Sequence, residues 1–157
     1  FGGGFEDDGL DIEQIHLARW RVGLAAPPDF GPGWWQESLS GGNPVVQRED
    51  GAGVQRAFEE AVGRAGVAGP RASGHYESAQ RGVLTGMAAV TIEPAALAVG
   101  ALFHPIEMHE AQLWLDRKWR DDSAVMAALD VFGSQRFQRR LRSVGGYDLV
   151  GIGTRVT

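Results

Sequence analysis

The chain has 157 residues, 43% of them hydrophobic, no cysteine and a formal net charge of −5. That length accommodates one domain, or one complete lobe and part of another, and the lack of cysteine excludes disulfides, thiolate metal sites and cysteine nucleophiles. No apolar run approaches the roughly 18–20 residues of a membrane-spanning helix, and an acidic chain with one lysine (Lys118) among 15 basic residues fits phosphate-gripping nucleic-acid binders poorly.

Residues 1–18 read as an irregular lead-in, Gly-rich and acidic at its start and unlike a signal or transit peptide. The run RWRVGLAA (19–26) predicts a buried strand, stopped by Pro27-Pro28. Residues 27–43, rich in Pro and Gly, predict a long loop with about one helical turn; its paired Trp34 and Trp35 fit a lid, a dimer contact or core equally. A short strand is expected over 44–49. Asp50 is then placed to cap a helix over 51–65, where Val54, Ala57, Phe58, Ala61, Val62 and Ala65 recur at helical spacing. Gly66 and Pro70 end it.

A strand is expected at 73–77, followed by a helix opened by Ser78 and reaching about residue 86. AAVTIE (88–93) predicts a strand, PAALAVGA a short helix with Pro94 at its first position, and LFHPIE (102–107) another strand. Leu113-Trp114-Leu115 belongs to a further one. Alternating strands and helices argue for an α/β layer with a mainly parallel sheet. Towards the end, Ser123 is expected to cap a helix with Val125, Ala128, Leu129 and Phe132 inward. Ser134 is expected to cap a second, with Phe137, Leu141 and Val144 inward, before an irregular tail from Gly145 onward.

Several residues invite a chemical reading. Asp50-Gly51-Ala52-Gly53 is a tight turn into a helix N-terminus, where free amides and the helix dipole attract anions. Contact at Gly51, Ala52 and Gly53 would be through backbone amides; the same glycines also suit a bare turn. Arg48, just before the turn, has the fork that holds a carboxylate or oxyanion, or it pairs with Glu49 or Asp50. Ser78 is read both as a helix cap and as a group at an anion-favouring helix start. Thr91 and, more weakly, Glu93 lie at a strand's carboxyl end, where open α/β sheets bind ligands.

His104, Glu107, His109 and Glu110 match no zinc signature in their spacing, so the histidines read as packing on a strand and no metal is expected. No serine sits in a Gly-x-Ser-x-Gly elbow, and neither a Gly-x-Gly-x-x-Gly turn nor a phosphate-loop lysine occurs. The expectation is therefore a non-enzyme without a cofactor. Arg136, Arg139, Arg140 and Arg142 read as a solvated helix face.

The order of these parts resembles type 2 periplasmic-binding-protein-like domains. PVVQREDGAGVQRAFEEAVGRAGV is similar to their strand–turn–helix unit, in which an R-x-x-G-S-G-T-R type turn starts a helix facing the ligand cleft. SAQRGVLTGMAAVTIEPAALAVG resembles the next helix, a strand ending in the cleft and a short helix. The stretch from His104 to the Gly-Gly-Tyr-Asp finish resembles the return crossing and closing helices. That finish is most similar to the binding-protein-like domains of molybdate-related regulators and molybdopterin enzymes. The middle resembles the effector-binding domain of LysR-type regulators.

The resemblance covers about residues 19–156, with two departures. Ala52 and Val54 stand where the family has small hydroxyl residues, and only some twenty residues precede the first crossing strand, where the family has a whole lobe. It implies an α/β, type 2 periplasmic-binding-protein-like domain over 19–157. One complete second lobe would span about 27–105, with a truncated first lobe and a crossing strand and helical segment over 106–157. The crossing strands near 22–25 and 111–115 should lie side by side. The function implied is non-catalytic capture of a small polar or anionic ligand between lobes, with hinge closure as the signal. The expected setting is a cytoplasmic transcription regulator touching DNA only through a domain outside this chain. A transporter's solute-binding protein is the alternative setting, and an enzyme is the rival class. A truncated lobe exposes apolar surface, so a homodimer is expected.

Overall fold

The computed structural model describes residues 11–156, which form an α/β fold around a mixed six-stranded sheet. The strands are β1 (Ile12–Ala26), β2 (Val45–Arg48), β3 (Arg71–Ala72), β4 (Ala88–Ile92), β5 (Leu102–Asp116) and β6 (Tyr147–Asp148). The helices are α1 (Trp34–Leu39), α2 (Gly53–Val62), α3 (His75–Thr85), α4 (Glu93–Ala98), α5 (Ser123–Gly133) and α6 (Gln135–Val144). The sheet order is β3-β2-β4-β1-β5, with β6 also on β1. β2, β3 and β4 are parallel, while β1 runs antiparallel to β4 with Val22 opposite Ile92 and Ala25 opposite Ala89. Residues 1–10, most of the expected lead-in, lie outside the described residues.

The chain divides into two compact units, one within Trp20–His109 and the other within Phe1–Arg19 and Glu110–Thr157. The first holds the larger core: Val22, Leu24, Val45, Val54, Ala57, Phe58, Ala79, Ala88, Val90, Ile92 and Ala95 pack together. Burying a side chain the size of Phe58 contributes about 1.5–3 kcal/mol. Trp34 and Trp35 pack against this core, and Trp35 stacks on His104 with ring centroids 4.0 Å apart. Of the three readings for the tryptophans, the structure favours core. Gly82 lets α3 close on β4, since a β-carbon there would come within 2.8 Å of the Met87 carbonyl and the Ala89 methyl.

Several expectations are corrected. Residues 12–18, expected to be irregular, belong to β1. Their polar side chains find partners distant in sequence, Glu13 in Arg155 and the Nδ1 of His16 in Glu110. The strand expected at 73–77 is only Arg71–Ala72, and α3 begins at His75 rather than Ser78. The Glu77 carboxylate reaches back to the Ser73 amide and hydroxyl (3.3 and 2.9 Å), securing an earlier start. The two strands expected within 102–115 are one, β5, running through Pro105. That proline is exposed on an end strand of the sheet, where a missing N–H is tolerated.

β1 and β5 are neighbours, and Gly23 lies so close to the His104 carbonyl that any β-carbon would strike it. The Arg117 amide meets the Asp11 carbonyl at 2.8 Å, so the two strands run in opposite directions. Val22–Ala25 therefore lies beside the start of β5, not beside Ala111–Leu115. Asp122, not Ser123, caps α5 by accepting from the Ala124 and Val125 amides, whereas Ser134 does cap α6 through the Phe137 amide.

Candidate functional site

Parallel strands deliver their carboxyl ends to one edge of the sheet, and each strand of this set is followed by a helix that begins there. β2 leads to α2, β3 to α3, and β4 to α4. This edge, within Trp20–His109, brings together most of the polar groups singled out from sequence.

The turn after β2 starts it. Gly51 has φ +82°, a left-handed conformation that suits glycine, and the Ala52 amide closes the turn on the Glu49 carbonyl (3.3 Å). Ala52 is the N-cap of α2 and Gly53 its first residue, with no side chain capping the helix. The expected Asp50 cap is not made; Asp50 instead pairs with Arg71 at 3.1 Å. α2 is also shorter than the 51–65 expected, ending where Gly63 takes φ +59°.

Arg48 is 4% exposed. Its Nε and Nη2 donate to the two carboxylate oxygens of Glu49 at 2.8 and 2.7 Å, and its Nη1 contacts Nδ1 of His75. Of the two partners open to it from sequence, it takes Glu49. Burial and then the Arg48 charge push the His75 imidazole down to about 4, so near neutral pH it is uncharged and offers Arg48 a lone pair. The Arg48 carbonyl accepts from Arg71, and its amide donates to Gln55 Oε1 at 2.8 Å. Gln55 is buried in the first turn of α2. It also donates to Gln47 (3.0 Å) and Glu59 (2.9 Å), fixing that helix start to the end of β2.

Ser78, read as a helix cap or a group at an anion-favouring helix start, lies inside α3 and does not cap it. Both it and Thr91, read as lining a cleft, are fully buried. The Ser78 hydroxyl donates to the Val90 carbonyl (2.7 Å) and that of Thr91 to the His75 carbonyl (2.7 Å). Both hydroxyls tie α3 to β4, so neither faces an open surface. Thr91 nevertheless brings the β4 end to the α3 start, and Arg48 joins the β2 end to the same residue, His75. Glu93 is held at the first turn of α4 by two bonds from Arg21. Glu107 accepts from Arg56 (2.8 Å) and contacts His109 Nε2 (2.9 Å), while Glu110 pairs with His16. Glu107 and His109 are thus joined to each other, His104 stacks on Trp35 and Glu110 pairs elsewhere, and the described residues contain no group of three or more His, Asp or Glu able to hold a metal ion.

Gln55 and His75 were missed from sequence. A glutamine inside a helical stripe gives no local signal, because its partners Gln47 and Arg48 lie eight and seven residues away on a strand. His75 was hidden by the late helix start expected at Ser78. A scan against protein-family models finds no match. A search of curated proteins likewise finds no significant relative.

The other unit holds a cavity of about 210 Å³ lined by Ile15, Leu115, Leu129 and Phe132 with Glu13, Arg120, Gly153 and Arg155 at its polar side. This is below the roughly 300–1,000 Å³ of ordinary small-molecule sites. No helix among the described residues is long and apolar enough to cross a membrane.

Proposed function

We propose that this chain is a non-catalytic small-molecule-binding module of the type 2 periplasmic-binding-protein-like kind. It takes a small polar or anionic ligand at the carboxyl edge of β2, β3 and β4. The observation that carries the reading is the convergence at His75 of a buried arginine from the β2 end and a hydroxyl from the β4 end, beside an α2 start that no side chain caps. Helix starts and a buried guanidinium favour negative charge at one place. Catalysis has no support there: the Ser78 and Thr91 hydroxyls donate to main-chain carbonyls and are not set against a base.

The module serves as the sensor part of a transcription regulator, with solute capture for a transporter as the second setting. An adjoining helix-turn-helix segment in the gene would favour the first, and a signal peptide the second. The test is a thermal-shift screen of oxyanions, amino acids and organic acids. A ligand of the folded state raises the melting temperature, and Arg48→Ala should remove most of that rise. A screen in which no compound moves the wild-type transition refutes the reading.

We also propose a homodimer, formed through the unit that contains α5 and α6. Neither helix buries a residue, and Met126, Val131 and Val144 stay exposed on them. Apolar surface of this kind marks an interaction site.

A further inference from the structure

Arg48 is a buried cation whose partner comes from the turn beside it. Its side chain is 5% exposed, whereas that of Glu49 is 46% exposed, so the carboxylate approaches the guanidinium from the solvent side. Glu49 follows the last residue of β2, and from the turn its side chain folds back onto its neighbour. The contact is the bidentate fork: two parallel bonds of 2.8 and 2.7 Å from Nε and Nη2. The remaining direction, Nη1, is already taken by neutral His75. The next residue makes only a looser surface pair, Asp50 lying 3.1 Å from a half-exposed Arg71. Arg48 is thus the one of the two arginines that the turn covers with its own carboxylate.

Resting on the proposed anion-binding role of this edge, we infer that Glu49 is an internal stand-in for the ligand. The site takes a carboxylate-bearing small molecule, which displaces Glu49 from the Nε–Nη2 edge of Arg48. The exchange is balanced in charge and shape. One planar monoanion leaves for water, where a half-exposed glutamate is readily solvated, and another planar monoanion takes its two hydrogen bonds. A doubly charged tetrahedral anion would add a negative charge next to Asp50 and match the vacated geometry less well. The wild-type affinity is set by competition, since Glu49 is covalently held beside its partner and acts at high effective concentration.

The experiment is a melting-temperature titration of wild type, Glu49→Gln, Glu49→Ala and the double variant Arg48→Ala/Glu49→Ala with acetate, benzoate and sulfate. Glu49→Ala should melt below wild type in plain buffer. Acetate and benzoate should restore it with half-saturation at least tenfold lower than for wild type, Glu49→Gln should respond in the same direction, and sulfate should restore it less. The double variant should not respond. Carboxylates that act on wild type and both single variants at equal concentration refute the displacement while leaving anion binding intact. Sulfate matching the carboxylates refutes the ligand class. Silence of every anion on every variant refutes both the displacement and the binding role beneath it.

Discussion

α2 and α5 are helices of similar length with contrasting fates. α2 is amphipathic, interrupting its apolar stripe with Gln, Arg and Glu, and buries Val54, Gln55, Ala57 and Phe58. α5, SAVMAALDVFG, is far more apolar and buries nothing. The difference lies in what stands opposite. α2 lies over β2 and β4, whose every residue is buried, whereas the residues of β5 within the unit that holds α5 are mostly half-exposed. Apolar spacing selects the face a helix turns inward, and the partner surface decides how much of that face leaves water.

The comparison can be broken most directly by trimming one aromatic ring in each unit. Phe58→Ala should cost about 3–5 kcal/mol, the range for emptying a packed aromatic site, whereas the half-buried Phe132→Ala should cost about 1 kcal/mol. Urea denaturation of the two variants would show it, and equal losses would mean the unit of α5 is packed as tightly as the other.

A smaller effect sharpens the contrast from the acid side. His75 has a folded-state value near 4 against an ordinary 6.5, set first by burial and then by Arg48. As pH falls, the unfolded chain takes up this proton first. The stability that neutral His75 supplies is therefore complete above about pH 6.5 and is lost progressively towards pH 4. Discounted for its partial exposure, that loss is about 1–2 kcal/mol. His75→Gln should flatten this part of the pH–stability curve, and an unchanged slope would deny the buried neutral imidazole.

The smallest effect on stability is expected from Val131→Asp, on the exposed face of α5, 55% open to solvent. It should leave the melting temperature of dilute protein within about 0.5 kcal/mol equivalent while shifting the micromolar species from dimer to monomer in light scattering. A wild-type monomer at that concentration would remove the proposed assembly.

What was legible in the sequence follows the range of the interactions involved. The alternation of strands and helices, the buried stripe Val54, Ala57 and Phe58, and the Ser134 cap depend on neighbours within a few residues, and each was read correctly. β1 before Arg19 was not, because Glu13 and His16 read as polar until Arg155 and Glu110 are supplied from the far end of the chain. At the candidate site the turn at Gly51 and the pairing of Arg48 with Glu49 were legible. The roles of Ser78 and Thr91 were not: a hydroxyl beside a strand end reads the same whether it faces a cleft or donates to a carbonyl on the next element.

Pro105 carries a consequence for how copies of this chain can meet. Among the described residues β5 ends the sheet order, and an open strand is a template on which a strand from another molecule can dock, repeat and aggregate. A proline exposed on that border offers no amide hydrogen, which breaks the row of donors in the stretch beside Gly23. It works against strand addition there, in keeping with the proposed pairing through the side-chain surfaces of α5 and α6.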